Sequence, residues 1–298
     1  MAGGAPDRPA IAVVVVNFNQ AALTRACLSS LGAATGVEAT VYLVDNASRG
    51  GAQDLVPDDA PPTRVLALPV NTGFAGGNNA GLRAAIEAGA EAILLLNNDT
   101  TVAPEALARL AAELDARTLV VPQVRDAAPP HARAEWIGAF DWTRGILRQA
   151  TPPLDAPSEV DMAGACCVLL PRALVERVGM FDERYFLYFE DIDLFTRARQ
   201  AGFRIVYQPA AVIRHVGSGS SGGQPISPLT LYYNTRNRLL FMRTHRGLRP
   251  AFVSYFLATR LAYLARYVVT GRLRLARALL RAVGDFQAGR LGAASRPL

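Results

Sequence analysis

The stretch AILLLNNDT, residues 92–100, joins an unbroken apolar run to a polar end that includes Asp99. Because its apolar residues do not alternate with polar ones, the run predicts a strand covered on both faces, as in a parallel sheet. Four further short apolar runs occur at 11–16, 40–45, 64–69 and 119–124. Alanine-rich stretches that predict helices occur at 20–31, 76–89 and 104–116. The first half therefore predicts an α/β fold, with a mostly parallel open sheet flanked by helices.

The second half has a less regular pattern that is expected to extend this sheet. Residues 136–148, WIGAFDWTRGILR, predict a hairpin, and residues 162–172, MAGACCVLLPR, predict a buried strand. DIDLFTRARQAG predicts a helix that ends at Gly202, FRIVYQP predicts a further strand, and the chain is expected to be helical from Pro228 onward. The predicted organisation is a catalytic domain over 1–245, with halves at 11–125 and 126–245, and a helical tail over 246–298.

Composition and charge narrow the class of partner. The 298 residues are 51% hydrophobic and carry a formal charge of +6, which suits a folded protein with an anionic partner. Arginine crowds the last fifty residues, so the positive field is local. This pattern favours a basic tail at an anionic membrane surface over a nucleic-acid groove.

The cysteines and the N-terminus bear on the compartment. Cys27, Cys166 and Cys167 form no metal-ligand spacing, and adjacent cysteines do not readily bridge each other, so all three are expected to be buried thiols of a reduced compartment. The first ten residues are polar and rich in Pro and Gly, and the run IAVVVV is too short for a signal sequence or a membrane span. We therefore expect a cytoplasmic protein.

Polar side chains follow four of the predicted strands. In open α/β sheets ligands bind beyond the carboxyl ends of the strands, so these residues are the first candidates for a binding site. Any one Asn or Asp there is readily explained as a helix cap or a turn residue, but four strand ends together predict a polar site. Asp45 is suited to accept hydrogen bonds from a nucleotide base or ribose, with an Asx turn as the alternative. The candidates are Asn17, Asn19, Asp45, Asn71, Asn97 and Asn98.

The glycine-rich stretch NTGFAGGNNAGL, residues 71–82, precedes a predicted helix. Its glycines suit close approach of the backbone to a ligand, with free N–H groups at the helix start. The spacing matches neither the GxGxxG fingerprint nor a phosphate loop ending in GK[ST], which disfavours a dinucleotide fold. Gly76 and Asn78 are added to the candidate donor contacts.

Two acidic segments carry the expected chemistry. Asp99 ends the most apolar strand, where a carboxylate suits Mg²⁺ or Mn²⁺ together with substrate phosphates, although a cap for the helix near Pro104 is the alternative. The segment YFEDID places Glu190, Asp191 and Asp193 directly after aromatic residues. Simple capping of a helix start is the bland interpretation. Apolar surroundings and like charges raise the pKa of a carboxylate, which is what a general base requires.

Three cationic side chains are further candidates. His215 follows an apolar run and precedes the Gly/Ser stretch GSGSSGG, an arrangement that suits a metal ligand beside a closing lid, although a lone histidine is usually structural. Arg236 and Arg238 in YYNTRNRLL could clamp a diphosphate, with a solvated basic face as the alternative.

The C-terminal region predicts helices suited to a membrane surface. In RLRLARALLRAV, residues 272–283, arginine and apolar side chains fall on opposite sides of a helix. The preceding AFVSYFLATRLAYLARYVV is apolar around most of its circumference, which favours shallow insertion over a full span. A helix that docks on the protein itself is the open alternative. The opposed residues are Arg274, Arg277 and Arg281 against Leu275, Leu279 and Val283.

Taken together, VVNFNQ, VDNAS, NTGFAGGNNAGL, LLNNDT, GMFDERYFLYFEDIDLFTRARQAGF, the histidine after it and YYNTRNRLL resemble glycosyltransferase family two, and most closely its bacterial rhamnosyltransferase-like members. The ordered set covers about residues 11–245. The resemblance implies a GT-A nucleotide-sugar fold and an inverting displacement at the anomeric carbon. It also implies a nucleotide-sugar donor and a saccharide or polyprenyl-linked acceptor of the cell envelope.

The resemblance assigns roles to four residues. Asp45 would hold the nucleotide base, Asp99 would bind the metal as the last residue of the DXD-like element, and His215 would be a further metal ligand. Asp191, in the Glu-Asp pair, would be the catalytic base. The neighbouring Glu190 and Asp193 are separate candidates for contacts with the acceptor or the diphosphate. The sequence departs from the family pattern at Asn97, where many relatives have an aspartate.

Two other functions remain open from the residues alone. A nucleotidyltransferase also needs a metal and an α/β nucleotide site, but NFNQ stands where its Gly-rich phosphate loop would be expected. A nonenzymatic adaptor at a membrane surface would use the basic tail and would leave the strand-end Asn and Asp residues and the FEDID cluster unexplained.

Overall fold

The structure is a computed structural model that describes residues 8–52, 54–133, 137–149, 154–216 and 226–295. The strands are β1 Ala10–Asn17, β2 Glu38–Asp45, β3 Thr63–Ala67, β4 Ala92–Asn97, β5 Thr100–Val102, β6 Thr118–Asp126, β7 Ile137–Asp141, β8 Ile146–Gln149, β9 Ser158–Glu159, β10 Met162–Ala163, β11 Cys167–Pro171 and β12 Arg204–His215. The helices are α1 Ala21–Gly32, α2 Gly73–Glu87, α3 Ala106–Ala111, α4 Arg172–Val178, α5 Glu190–Gln200, α6 Pro228–His245, α7 Pro250–Val269 and α8 Leu273–Gln287.

A mixed sheet of nine strands forms the centre of the molecule. Its order is β3-β2-β1-β4-β11-β6-β12-β5, and β9 pairs with β12. Strands β3, β2, β1 and β4 are parallel, whereas β11 runs antiparallel to β4 and β6. The second half of the chain therefore extends the first half's sheet, as the sequence predicts. The predicted hairpin is also confirmed, because β7 and β8 pair antiparallel in a second sheet of order β10-β7-β8.

The core lies on both faces of the large sheet. In β1, Ile11, Val13 and Val15 belong to one apolar cluster, and Ala12 and Val14 belong to the other. The first cluster includes residues of α1 and α3, and the second includes residues of α2, α5 and α6. Continuous hydrophobicity in the sequence thus reflects two covered faces, each receiving every second side chain.

Two predicted segments differ in extent from the structure. The stretch MAGACCVLLPR forms two strands, because β10 joins the hairpin sheet and β11 joins the large sheet. The predicted helix at 104–116 is reduced to α3, Ala106–Ala111. The first seven residues, Trp136 and the Gly/Ser stretch expected to form a lid lie outside the described residues.

The C-terminal region packs on the preceding part of the chain and is not a free tail. Leu275 and Leu279 of α8 are buried in a cluster with Leu231 of α6 and Tyr267 of α7. The Tyr232 hydroxyl donates a 2.7 Å hydrogen bond to Asp285 Oδ2. The docking alternative therefore holds for α8, whose Arg274 and Arg277 remain exposed on the other side. In the described ranges no helix is long and apolar enough to cross a membrane.

Candidate active site

Hydrogen bonds join the polar ends of three neighbouring strands. Asn17 Nδ2, at the end of β1, donates to Asp45 Oδ1 at the end of β2 at 2.8 Å. Thr24 Oγ1 donates to Asn17 Oδ1 at 2.9 Å, and Asn98 Nδ2 donates to Thr24 Oγ1 at 2.9 Å. Asp45, Asn17 and Asn98 are all buried. Three of the strand-end residues named from the sequence, Asn17, Asp45 and Asn98, thus share one network at one edge of the sheet.

The loops beside this network are fixed by short polar contacts. Ser48 Oγ accepts from Asn17 Nδ2 at 3.0 Å and from the Asn19 N–H at 2.9 Å. Asn19 Oδ1 in turn accepts the Arg49 N–H at 2.9 Å. Asn71 Oδ1 accepts the Gly73 N–H at 2.8 Å, which shapes the entrance to α2. These residues build the loop walls around the buried Asp45.

Several glycines of α2 are required by close packing, whether or not the helix start also contacts a ligand. A Cβ on Gly81 would lie 2.3 Å from a methyl carbon of Val14, and one on Gly77 would lie 2.8 Å from Val16. A Cβ on Gly76 would lie 2.6 Å from the Cβ of Thr72. Glycine is therefore required where the helix meets the strand and its own first turn. Asn78 also faces inward, donating to the Phe74 carbonyl at 2.9 Å.

Asp99 and His215 meet at the end of the next strands. Asp99 Oδ1 lies 2.9 Å from His215 Nε2, and both side chains are largely buried. The contact forms because β12 pairs antiparallel with β5, which follows Asp99 directly. Asn97 Oδ1 nearby in the chain is buried without a hydrogen-bond partner.

These residues fit a divalent cation as two of its ligands. One carboxylate and one imidazole suit Mn²⁺, and the carboxylate suits Mg²⁺, with phosphate oxygens of a substrate completing the shell. Within the described ranges, no group of three or more His, Cys, Asp and Glu side chains could hold a metal by itself. The remaining ligands would come from substrate or water.

Asp191 lies in the first turn of α5. Its Oδ1 accepts the Ile192 N–H at 2.8 Å, and its Oδ2 accepts the Ala165 N–H at 3.3 Å. Burial raises its pKa, and these N–H groups only partly oppose the shift. A carboxylate held by backbone donors with a raised pKa has the properties of a general base.

The two acidic segments converge on Cys166. Burial raises the pKa of this thiol to about 12, and the charges of Asp99 and Asp191 add to the shift. Asn97 N–H donates to the Cys166 carbonyl at 2.8 Å, which fixes the chain between them. The expected metal-binding carboxylate and the expected base therefore flank one residue. All three cysteines are free thiols; Cys27 and Cys167 are buried as the sequence predicts, whereas Cys166 is half-buried.

Glu190 and Asp193 have opposite environments. Burial and the neighbouring charge of Asp191 raise the pKa of Glu190 well above its usual range, and its Oε2 has no hydrogen-bond partner. Asp193 is also buried, but its hydrogen bond with His245 at 2.8 Å and its ion pair with Arg197 at 2.7 Å hold its pKa below the usual range. Asp193 thus links α5 to α6, and each of its two oxygens already has a partner in this network.

The loop before Asp191 has a strained backbone. Phe186, Tyr188 and Phe189 have φ of 66°, 66° and 74°, a region that residues with a Cβ rarely adopt. Asn237 Nδ2 lies 2.8 Å from each of three carbonyls of this loop, those of residues 185, 187 and 188. The Phe186 carbonyl accepts the Phe74 N–H at 2.7 Å. These hydrogen bonds therefore keep the loop in its strained conformation immediately before the expected base.

Arg236 corrects a prediction from the sequence. Its side chain is fully buried, and its guanidinium donates to Asn237 Oδ1, the Tyr232 hydroxyl and the carbonyls of residues 184, 185 and 292. Since a guanidinium has five N–H groups, none remains for a diphosphate in this geometry. Arg236 therefore fastens the loop before α5 to α6 and to the C-terminal segment.

Arg238 is buried on the opposite side of α6. It donates to the Arg144 carbonyl in the turn between β7 and β8, and its Nε has no partner. Burial and the charge of Arg260 lower its pKa to about 10. The structure thus separates the two arginines that the sequence placed together.

Sequence reasoning missed four polar residues of these networks: Thr24, Ser48, Asn237 and His245. Thr24 and Ser48 lie within a few residues of a strand end, which is a signal that could have identified them. Asn237 and His245 lie on α6, where buried polar and apolar residues occur side by side, so its sequence reveals no inward face.

Comparison with known proteins agrees with this geometry. The family described as Glycosyltransferase like family 2 matches residues 9–240. The chain is 28% identical over 293 residues to N-acetylglucosaminyl-diphospho-decaprenol L-rhamnosyltransferase from Mycobacterium tuberculosis, which covers 89% of this chain and 94% of that protein. It is 24% identical over 213 residues to dTDP-rhamnosyl transferase RfbF from Shigella flexneri, which covers 68% of this chain and 70% of that protein.

A solved structure shows the same fold. The mannosyltransferase PcManGT from Pyrobaculum calidifontis, in complex with GDP-Man and Mn²⁺, matches with a TM-score of 0.52 at 18% identity, over 96% of this chain and 90% of that one. The GT-A fold expected from the sequence is therefore confirmed. Since the family match spans most of the chain, this protein is a glycosyltransferase and belongs to the Glycosyltransferase like family 2.

Proposed function

We propose that the chain transfers a sugar, with inversion, from a nucleoside-diphosphate sugar to a hydroxyl of a lipid-linked cell-envelope saccharide. The observation that carries this proposal is that Asp191 accepts the Ala165 N–H, while the next residue, Cys166, accepts the N–H of Asn97, two residues before the Asp99–His215 pair. That arrangement puts an anchor for a diphosphate beside a general base. Both are needed when an acceptor oxygen displaces a diphosphate from an anomeric carbon.

In the proposed reaction Asp191 takes the proton from the acceptor hydroxyl. The acceptor oxygen forms its bond to the anomeric carbon while the bond from that carbon to the diphosphate breaks. Asp99 and His215 would hold Mg²⁺ or Mn²⁺, which when bound neutralises charge on the departing nucleoside diphosphate. Glu190, whose raised pKa favours the protonated form, is suited to donate a hydrogen bond to a substrate oxygen.

The donor nucleotide is assigned to the network at the ends of β1, β2 and β4. Asp45 is the proposed acceptor of hydrogen bonds from the base or ribose. Asn17 orients it directly, and Asn98 acts on Asn17 through Thr24. dTDP-rhamnose or a UDP-hexose is the proposed donor. The names of the two rhamnosyltransferases support a rhamnosyl group, and that of the relative from Mycobacterium tuberculosis supports a prenyl-diphosphate acceptor.

We further propose that the enzyme works at the cytoplasmic face of a membrane, with α7 lying on the surface. The outer face of α7 exposes Leu257, Leu261 and Val269, with 51%, 64% and 86% of their surfaces accessible. Residues 246–295 contain nine arginines and a single acidic residue, the buried Asp285. Exposed apolar groups bordered by arginine favour an anionic lipid surface.

The reaction is tested by incubating the full chain with dTDP-rhamnose or UDP-N-acetylglucosamine, Mn²⁺ and an N-acetylglucosaminyl-diphospho-prenol acceptor. We expect a glycosylated lipid and release of nucleoside diphosphate rather than pyrophosphate. Asp191→Asn is expected to lower kcat by roughly 10² to 10⁴ while donor binding persists. Asp155→Asn, at an exposed ion pair, is the control. Full turnover by Asp191→Asn would refute the base assignment, and release of pyrophosphate would identify a nucleotidyltransferase instead.

A further inference from the structure

An open cavity of about 610 Å³ lies between the turn that joins β7 to β8 and helix α7. Two arginines, Arg144 and Arg148, and the ring of Tyr255 contribute to its lining. Asp141 is the only carboxylate among the lining residues. It already accepts the Thr143 and Arg144 N–H groups of the turn, at 3.0 and 2.9 Å, and it forms an ion pair with the Arg144 guanidinium at 3.1 Å. Both arginines reach solvent, so the cavity presents accessible cations.

Two further arginines lie behind this cavity without a counter-ion. Arg238 is only 6% exposed, and a Cβ on Gly145 of the turn would lie 3.0 Å from its Nε. Its charge and that of Arg260 on α7 lower each other's stability as cations, and the Nε atoms of both are buried without a hydrogen-bond partner. In the described part of the chain, neither forms an ion pair with a carboxylate. Four guanidinium groups therefore meet one carboxylate, which leaves a local excess of positive charge.

Aromatic rings are the groups that face the buried arginines. The Arg238 guanidinium lies 5.7 Å from the centre of the Tyr255 ring, and that of Arg260 lies 5.0 Å from the centre of Phe256. Such contacts recover only part of the cost of burying a charge. Because an unpaired buried cation is strongly destabilising, the arrangement favours an anion at the cavity.

The cavity is connected to the proposed base by packed elements. Phe140 lines it and contacts Phe241, which contacts Phe189, with ring centres 4.9 and 5.8 Å apart. Phe189 directly precedes α5. Strand β7 of the same hairpin also pairs with β10, and the Ala165 N–H that follows β10 donates to Asp191. The cavity and the proposed base therefore lie on elements that pack against one another.

We propose that this cavity binds the diphosphate of a prenyl-linked acceptor, with Arg144 and Arg148 contacting the phosphates and α7 facing the lipid. The inference rests on the proposed function, and it adds the group of the acceptor that the enzyme holds and the residues that hold it. Guanidinium groups match phosphate oxygens in geometry and charge. The position suits a lipid-linked anion because the outer face of the same helix exposes Leu257 and Leu261.

The test measures binding of farnesyl diphosphate in EDTA to the full chain, with Trp142 fluorescence as the readout. Trp142 stacks on Phe241 at 5.5 Å and lies between two residues that line the cavity. We expect saturable binding that weakens at least about tenfold in the double variant Arg144→Gln/Arg148→Gln, equivalent to about 1.4 kcal/mol. Arg64→Gln/Arg83→Gln removes two exposed arginines elsewhere and is the matched control. Melting temperatures check that each variant is folded.

Two comparison ligands identify the source of the phosphate. Farnesol, which lacks charge, is expected not to saturate the site, and inorganic pyrophosphate is expected to bind more weakly than farnesyl diphosphate. Equal affinity for pyrophosphate and farnesyl diphosphate, or an unchanged dissociation constant in the double variant, would overturn the proposal. No sugar donor is present, so a lack of transferase activity would refute the proposed function without affecting this result. If the enzyme transfers sugar but the double variant binds farnesyl diphosphate as tightly as the wild type, the proposed role of the cavity is refuted and the proposed function is not.

Discussion

Asp191 accepts a proton only in its ionised form, so its environment sets the pH dependence of the proposed reaction. Burial raises its pKa against the pull of two N–H groups. We therefore expect kcat/KM to increase with pH through a midpoint above the usual range of an aspartate and then to level off. Initial rates measured at low donor and acceptor concentrations from about pH 4 to about pH 8 give this profile. A profile that is flat across the acid range would contradict the role of Asp191 as base, provided that donor binding is constant over the same range.

Glu190 makes a separate prediction about stability. Its pKa is raised well above the usual range by burial and by Asp191, so the folded protein retains a proton that the unfolded chain releases. This carboxyl therefore lowers stability progressively as pH rises from its unfolded pKa toward its folded one. Glu190→Gln keeps the shape of the protonated form and has no proton to release.

The melting temperature of Glu190→Gln is expected to exceed that of the wild type at about pH 8, and the difference is expected to shrink toward about pH 5. Thermal unfolding across this range measures it. Glu183→Gln, another carboxylate of the same region, serves as the comparison. A constant difference at all pH values would show that the Glu190 proton is not the cause.

Some residues of the site could be predicted from sequence and others could not, for a physical reason. Asp99 and Asp191 each stand next to a strand or helix start, where position along the chain fixes their place at the sheet edge. Arg236 and Arg238 are two residues apart on a helix, so they point in different directions. Only the tertiary structure shows that the Arg236 guanidinium donates its hydrogen bonds to loop carbonyls, while Arg238 lies behind the cavity.

At the scale of elements, the loop from 184 to 189 depends on helix α6. Arg236 and Asn237 hold its carbonyls, and three of its residues have positive φ. A lysine at position 236 provides three donors at one point instead of a planar group with five. Arg236→Lys is therefore expected to lower the free energy of unfolding by about 3 kcal/mol, as when a buried charged network is broken.

Urea unfolding measures this effect, and Arg243→Lys on the exposed side of α6 is the matched control. Because the loop precedes Asp191, kcat is expected to fall in Arg236→Lys while the KM for the donor stays close to that of the wild type. Wild-type stability combined with a raised donor KM would instead assign Arg236 to the diphosphate.

The elements themselves were predictable to different degrees. Runs such as AILLLN correspond directly to strands, because a strand buried on both faces accounts for five consecutive apolar residues. The stretch around Cys166 was not divided correctly, since an apolar run does not indicate which of two sheets each part joins. The sequence suggested a ligand as the reason for the glycines of α2, but it did not indicate that contact with Val14 and Val16 requires two of them. Sequence patterns therefore predict which residues are buried more readily than they predict the elements on which those residues pack.

At the scale of the whole molecule, the C-terminal helices combine two roles that the sequence presented as alternatives. The inner face of α8 packs on α6, and the Gly292 carbonyl accepts from Arg236. The outer face of α7 stays apolar and exposed. Removing residues 246–298 would therefore damage the catalytic domain as well as any membrane contact. We expect the chain 1–245 to lack a cooperative thermal transition, because Leu231, Tyr232 and Tyr233 lose the groups that bury them.

Membrane binding is better separated from folding by substitutions on the exposed face of α7. Leu261→Gln/Val269→Gln removes apolar groups that contact little of the protein, so its melting temperature is expected to match that of the wild type. Flotation with anionic phosphatidylglycerol vesicles is expected to show partitioning at least about tenfold weaker than that of the wild type. The control Val65→Gln/Val70→Gln changes two exposed valines at the edge of the large sheet, 40% and 62% accessible, and is expected to float normally.

Because arginines border the α7 face, high salt should also weaken the wild type's partitioning. Equal flotation of all three proteins would reject α7 as the contact surface, whereas a cooperative melt of the chain 1–245 would show that the C-terminal helices are dispensable for the fold.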